Sequence, residues 1–356
     1  EMIELSIDAT IENTVGTRTA LEGSLSDSTM RTLWVPSDSI GVVAWRSTMS
    51  NFETVHEFRT DITENAATAS FAGTIQAASK YYAFYPYDSS LRNFYGTFIF
   101  TLPQLQNYVE GSFDPKAAPM VAQGSYGKSF DFQNLCGLLA LKIKGEDAIK
   151  AITFIGKDES GNNVPVSGTF AVDMTDPTSP VIQTASSYNN ELKDYAYQTS
   201  VTLNCDTPVQ LGEEAIPFYF VLPPGTYSSF MIIIYTAEGN VMVKEATKPI
   251  TIARSHVKPT AALQYAETVY VNLSETGWAN SYIVPEAGMY SFDADVIGNG
   301  DFGLIEDAGF HTTNTAISPY SAEILWQDRP NVIAGATFVN NQIRFYAMGN
   351  EGNALV

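Results

Sequence analysis

The sequence predicts an all-β chain of tandem β-sandwich modules, and three observations carry that prediction. Apolar residues recur with a period of two, turn chemistry interrupts them at short intervals, and sustained helical periodicity is absent. Taken in order, Ile3, Leu5, Ile7 and Ala9 alternate strictly with Glu4, Ser6 and Asp8, which reads as a half-buried strand running on to Ile11. Lys142–Lys144, Ala151–Ile155, Val201–Leu203 and Tyr270–Leu273 show the same alternation. Continuous β-branched and aromatic runs at Ile40–Trp45, Tyr81–Tyr85, Phe98–Phe100, Pro217–Leu222 and Phe230–Tyr235 read as strands buried on both faces. Asp158–Asn163, Ala237–Asn240 and Asn340-Asn341 each stand between two such runs and read as hairpin turns. Only Ala117–Gln123 offers a turn or two of helix.

The 356 residues suit two or three domains. A joint is expected at Gly124–Gly127 (GSYG) and another near Ala262–Thr268, giving modules 1–127, 128–264 and 265–356. The last is read as an appended, Ig-like β-rich module. It stops on the apolar note of Gly352–Val356, so it is expected to be incomplete. The chain opens at Glu1 without a visible signal peptide, from which a trimmed N-terminus is expected. No stretch of 18 consecutive apolar residues marks a transmembrane helix.

A net charge of −20 argues against a nucleic-acid partner and against docking on anionic lipid, since both demand the opposite sign. Charged residues make up only 16%, so the polar surface is built largely from Ser, Thr, Asn and Gln. Three His and two Cys leave little material for metal or nucleophile chemistry, and no cofactor is implied. Ala122–Ser129 fits a relaxed phosphate-loop pattern, but such a loop needs a helix after it, and Ser129–Phe132 continues as strand. Asp293, Asp295 and Asp301 suggest a calcium loop, yet Ile297 and Leu304 stand where the EF-hand places ligands; a surface turn is the simpler reading. His56-Glu57 lacks the second His of a zinc protease, and no catalytic serine elbow occurs. Tyr81–Tyr87 (YYAFYPY) is the densest aromatic patch: exposed, it would suit stacking on sugar faces, but in an alternating strand half its rings point inward. Cys136 and Cys205 show no metal spacing. Either they form one disulfide in an oxidising compartment, closing a loop of about 70 residues at roughly 4 kcal/mol, or they are two buried thiols.

The order Thr17-Arg18-Thr19, Trp34, Asp38–Val42, Phe71–Gly73 and Tyr81–Tyr87 resembles the N-terminal module of the fimbrillin family. These are the pilins of protease-assembled (type V) pili and their cell-adhesion relatives on Gram-negative anaerobes. Phe132–Leu139 (FQNLCGLL), Val166–Gly168 and Phe218–Gly225 (FYFVLPPG) extend the resemblance through about residue 260. Residues 269–356 resemble modules appended to some members, through Asn272–Ser274, Ala279–Val284 and Ala287-Gly288.

The resemblance implies two transthyretin-like sandwiches and a role in assembly, not catalysis. It implies an exported lipoprotein precursor on the outer membrane or in a fimbrium, with other pilin subunits as partners and a host or bacterial surface glycan or protein as a further one. In that family a surface protease cuts after an Arg near the N-terminus, and a strand from another subunit fills the groove left by the first strand. Arg18 is then the candidate cut, with Arg31 as runner-up, and an uncut turn stands level with either. The removable strand carries Ile3, Leu5 and Ile7. The family also places Cys residues where Cys136 and Cys205 fall, which favours the disulfide. Against this assembly role stand a surface glycan-binding lipoprotein using exposed aromatics, and an enzyme such as a glycoside hydrolase drawing on the numerous carboxylates.

Overall fold

Alternation in the sequence becomes one-sided burial in the structure, a computed structural model that describes residues 1–12, 21–22, 31–46, 52–275, 277, 279, 281–297, 315–329 and 332–356. The chain is all-β, and it divides into two compact units, Glu1–Ala266 and Glu267–Val356.

The first half of the larger unit is built on β1 (Met2–Ile11), β2 (Ser39–Ala44), β3 (His56–Thr60), β4 (Thr68–Gln76), β5 (Lys80–Tyr85), β6 (Thr97–Leu102), β7 (Leu105–Asn107), β8 (Met120–Ser125) and β9 (Phe130–Asn134). Seven of these close into a barrel in the order β1-β9-β8-β5-β2-β3-β4. The joint expected at Gly124–Gly127 lies inside this barrel. It belongs to the β8–β9 hairpin, where Gly127 takes φ 72° and the Lys128 N–H donates to the Ser125 carbonyl at 3.1 Å. A strand and not a helix follows the Gly-Lys segment, so no phosphate cradle forms there. The short helical piece expected near Ala117–Gln123 shrinks to a single turn at Pro115–Ala117, because β8 begins at Met120.

The second half continues with β10 (Gly137–Lys144), β11 (Ala148–Lys157), β12 (Ser167–Val172), β13 (Val201–Gln210), β14 (Ile216–Leu222), β15 (Ser229–Thr236), β16 (Val241–Ala246) and β17 (Val257–Pro259). One sheet runs β7-β13-β11-β15-β16, another β14-β10-β17, and a third pairs β12 with β6.

The three largest cores of this unit follow from which faces these strands bury. The barrel interior holds Leu5, Ile7, Ala9 and Ile11 with Trp34, Phe58, Phe71, Tyr81, Tyr85, Phe130 and Phe132. A second core takes the opposite faces of the same strands, Val43, Tyr82, Phe84 and Val121, and packs them with Phe98, Phe100, Phe170, Leu138 and Val221. A third lies on the other side of β10 and β14, where Leu139, Leu141, Phe218 and Phe220 meet Ile152, Phe154, Leu203 and Ile232. The continuous apolar runs Ile40–Trp45, Tyr81–Tyr85 and Pro217–Leu222 are thus strands shared between two cores. Cys136 and Cys205 are buried free thiols in different cores, the second and the third, and burial pushes both thiols up, Cys205 to about 11.

The smaller unit contains the sheet β18 (Val271–Asn272), β19 (Gly288–Asp293), β21 (Gln342–Ala347) and β20 (Ile333–Val339), in that spatial order. Asn340 and Asn341, both at positive φ, turn β20 into β21 as their sequence signal predicts.

Candidate functional site

The site builds outward from β1. Its side chains alternate between solvent and the barrel interior, and four apolar ones, Leu5, Ile7, Ala9 and Ile11, are buried. Ile3, expected in a pocket, is only half-buried; Ile11 takes the place assigned to it. At ~1.5–3 kcal/mol for each large side chain, Leu5, Ile7 and Ile11 contribute about 5–9 kcal/mol of burial.

The two edges of β1 are held unequally. Along one edge β1 runs antiparallel to β4 through nine consecutive residue pairs, Met2↔Gln76 to Thr10↔Thr68. Along the other it runs parallel to β9 only through Ala9↔Phe130, Thr10↔Asp131 and Ile11↔Phe132. Among the described residues, Met2–Asp8 have no strand partner on that side. Gly73 stands opposite Leu5 on β4, where a Cβ would lie 2.5 Å from the Phe58 ring, so its small size lets that ring pack close to the backbone.

Trp34 reaches the strand from inside the barrel. It is fully buried, and its ring meets Phe71, Tyr85 and Phe132 edge-on at centroid distances of 4.9, 5.5 and 5.2 Å. Its indole N–H donates to the Ala9 carbonyl at 3.2 Å. Tyr85 in turn donates its hydroxyl to Asp38 at 3.0 Å, and the Val35 N–H donates to the other carboxylate oxygen at 2.8 Å. Burial pushes the Asp38 carboxyl up to about 6 against these two bonds, which pull it down.

The end of β1 is clasped by charge. Glu12 accepts from the Asn134 N–H at 2.8 Å, from the Ser255 hydroxyl, and from the Arg254 guanidinium in a largely buried ion pair. Arg254 and Ser255 follow from a segment more than two hundred residues along the chain, and no local pattern announces that contact. Arg18 lies outside the described residues; Arg31 belongs to the two-residue strand Arg31–Thr32.

Other sequence candidates fall elsewhere. In Tyr81–Tyr87 the rings of Tyr81, Tyr82, Phe84 and Tyr85 are all buried and Tyr87 is half-buried, so the aromatic patch is core and not a sugar platform. Asp293 accepts from the Gln342 amide at 2.9 Å, while Asp301 lies outside the described residues. Among the described residues no three His, Cys, Asp or Glu side chains cluster to hold a metal ion.

No protein-family model and no curated protein matches the chain. The structural neighbours are adhesion-type and fimbrial proteins of Bacteroides at low identity. A "putative cell adhesion protein" of Bacteroides ovatus is similar at TM-score 0.42 and 13% identity, covering 74% of this chain and 92% of its own. A "putative cell adhesion protein" of Bacteroides uniformis is similar at TM-score 0.34 and 10% identity, covering 88% and 97%. A fimbrial protein of Bacteroides ovatus is similar at TM-score 0.31 and 14% identity, covering 75% of this chain and 52% of its own.

Proposed function

We propose that the chain is a cell-surface subunit of fimbrial or adhesion type that assembles by strand complementation. Cleavage after Arg18 frees β1, and the vacated slot accepts an equivalent strand from another subunit. The observation that carries this reading is the unequal hold on β1. A strand laddered fully on one edge, paired over only three residues on the other and burying alternate side chains can be exchanged for a second strand with the same alternation. The incoming strand would regain the β4 ladder and fill the pockets of Leu5, Ile7 and Ile11. The strongly acidic surface keeps unassembled subunits apart in solution.

Treatment with an Arg-specific protease, followed by intact-mass analysis, tests the first step; cleavage after Arg18 is expected. The cleaved chain, freed of its N-terminal piece, should then bind a synthetic peptide of residues 1–12. A peptide carrying Asp in place of Leu5 and Ile7 should not bind. A chain left whole at Arg18, or a cleaved chain that does not bind the peptide, overturns the proposal.

A further inference from the structure

The far end of the β1 slot differs chemically from the rest of it. Leu5, Ile7, Ala9 and Ile11 belong to the apolar barrel interior, whereas Glu12, the next residue, enters a polar corner. The Glu12 N–H donates to the Phe132 carbonyl at 2.9 Å, so the register of β1 on β9 runs on to this residue and fixes where its carboxylate lies. Four donors converge on its Oε1 atom: the Asn134 N–H at 2.8 Å, the Asn134 side-chain amide at 3.3 Å, the Ser255 hydroxyl and the Arg254 guanidinium. Four donors on one oxygen, one of them cationic, suit an anion better than a neutral acceptor.

The corner is built without help from β1. Arg254 and Ser255 stand in a turn that the His256 N–H closes on the Ala253 carbonyl at 3.2 Å. That turn is fastened to the start of β10, where the Ser255 N–H donates to the Cys136 carbonyl at 3.0 Å and the Leu138 N–H donates to the His256 carbonyl at 2.9 Å. Gly137 admits it, since a Cβ there would lie 2.2 Å from the Ala253 carbonyl oxygen. Ser255 is buried at φ 63°, a left-handed backbone that a residue other than glycine keeps only where its surroundings hold it. Arg254 also donates to the Asn134 carbonyl at 3.1 Å. None of these bonds involves β1. Loss of β1 therefore leaves the donors aimed at a vacant point, with a largely buried guanidinium short of its counter-ion.

We propose, resting on the strand-exchange reading above, that the slot selects its incoming strand by a carboxylate. The partner is a strand of another subunit whose inward apolar side chains alternate and whose last one is followed directly by a glutamate, which Arg254, Ser255 and Asn134 read. Alternating apolar residues are common to every strand of this all-β chain, so they fill the slot without choosing among strands. A charge-assisted contact at one fixed position does choose, because a strand lacking the acid, or slipped by one residue, leaves the guanidinium unpaired. The net charge of −20 opposes an acidic segment at long range, so the choice is made by contact at this corner.

The test uses the full chain cut once, at a protease recognition sequence inserted between Thr14 and Val15, with its N-terminal piece left seated, so cleavage at Arg18 is not needed. Labelled peptides of residues 1–12, amidated so that residue 12 brings no second carboxylate, compete with that piece and are followed by fluorescence anisotropy. The unaltered peptide should displace it. The Glu12→Gln peptide should bind roughly tenfold more weakly and Glu12→Lys a hundredfold or more. In an Arg254→Gln chain the preference for Glu over Gln should shrink to about threefold or less. Should that chain not fold, Ser255→Gly, which suits the positive φ and removes one donor, should lower the preference by about threefold. Equal binding of the Glu12 and Glu12→Gln peptides, or a preference unchanged in a folded Arg254→Gln or Ser255→Gly chain, would overturn the carboxylate rule and leave strand exchange standing. Failure of every peptide, the unaltered one included, would overturn strand exchange and the rule with it.

Discussion

Asp38 shows at the scale of one residue how the barrel sets a pH dependence. Desolvation raises its carboxyl from 3.8 to about 6, and the bonds from Val35 and Tyr85 only partly offset that rise. A raised carboxyl means that the folded chain holds the proton more tightly than the unfolded chain. Its contribution to stability is therefore fully present below about 3.8 and is lost as pH rises through about 6. The shift corresponds to roughly 2–3 kcal/mol. Asp38→Asn keeps the shape and removes the titration. Denaturant midpoints of the unaltered chain should fall between pH 4 and pH 6.5 relative to those of Asp38→Asn; parallel curves for the two would refute the assignment.

At the scale of elements, what matters about β1 is the asymmetry of its edges. Nine residue pairs on β4 hold it in register, while three pairs on β9 and the Glu12 clasp close the barrel. A strand laddered fully on both sides would have left no slot for exchange. Because Glu12 is the shared acceptor for Asn134, Arg254 and Ser255, Glu12→Ala leaves a part-buried guanidinium and a backbone N–H without their partner. The expected cost is about 2–4 kcal/mol. Amide exchange should accelerate first in β9 and in Ala9–Ile11, and exchange of β1 for the free 1–12 peptide should speed up. Unchanged protection across Ala9–Ile11 would show that the clasp holds nothing.

For the whole molecule, the two faces of β10 and β14 tie the larger unit together. Leu138, Ala140, Tyr219 and Val221 pack toward the barrel, and Leu139, Leu141, Phe218 and Phe220 pack away from it. A fragment of residues 1–127 lacks Phe130 and Phe132 of the barrel interior and half of the second core. It should remain unfolded, whereas residues 1–266 should fold by themselves with one cooperative transition. Well-dispersed amide spectra from the 1–127 fragment, or none from 1–266, would contradict this. The joint read at Gly124–Gly127 illustrates the difficulty: Gly, Ser and Lys mark a turn equally well whether the next strand starts a new domain or completes the old one.

Period alone determined that the chain is all-β, that Leu5 and Ile7 face a core, that Phe230–Tyr235 is buried on both sides and that Asn340-Asn341 turns a hairpin. Each of these follows from side-chain direction and backbone sterics within a few residues. Tertiary structure alone decided which strand meets which. The parallel contact of β1 with β9, the Glu12–Arg254 pair and the row Asn272, Ser291, Arg344 join residues far apart in the chain. An alternating pattern states that a face is buried but carries no label for the partner that buries it, and so the slot came into view only with the fold.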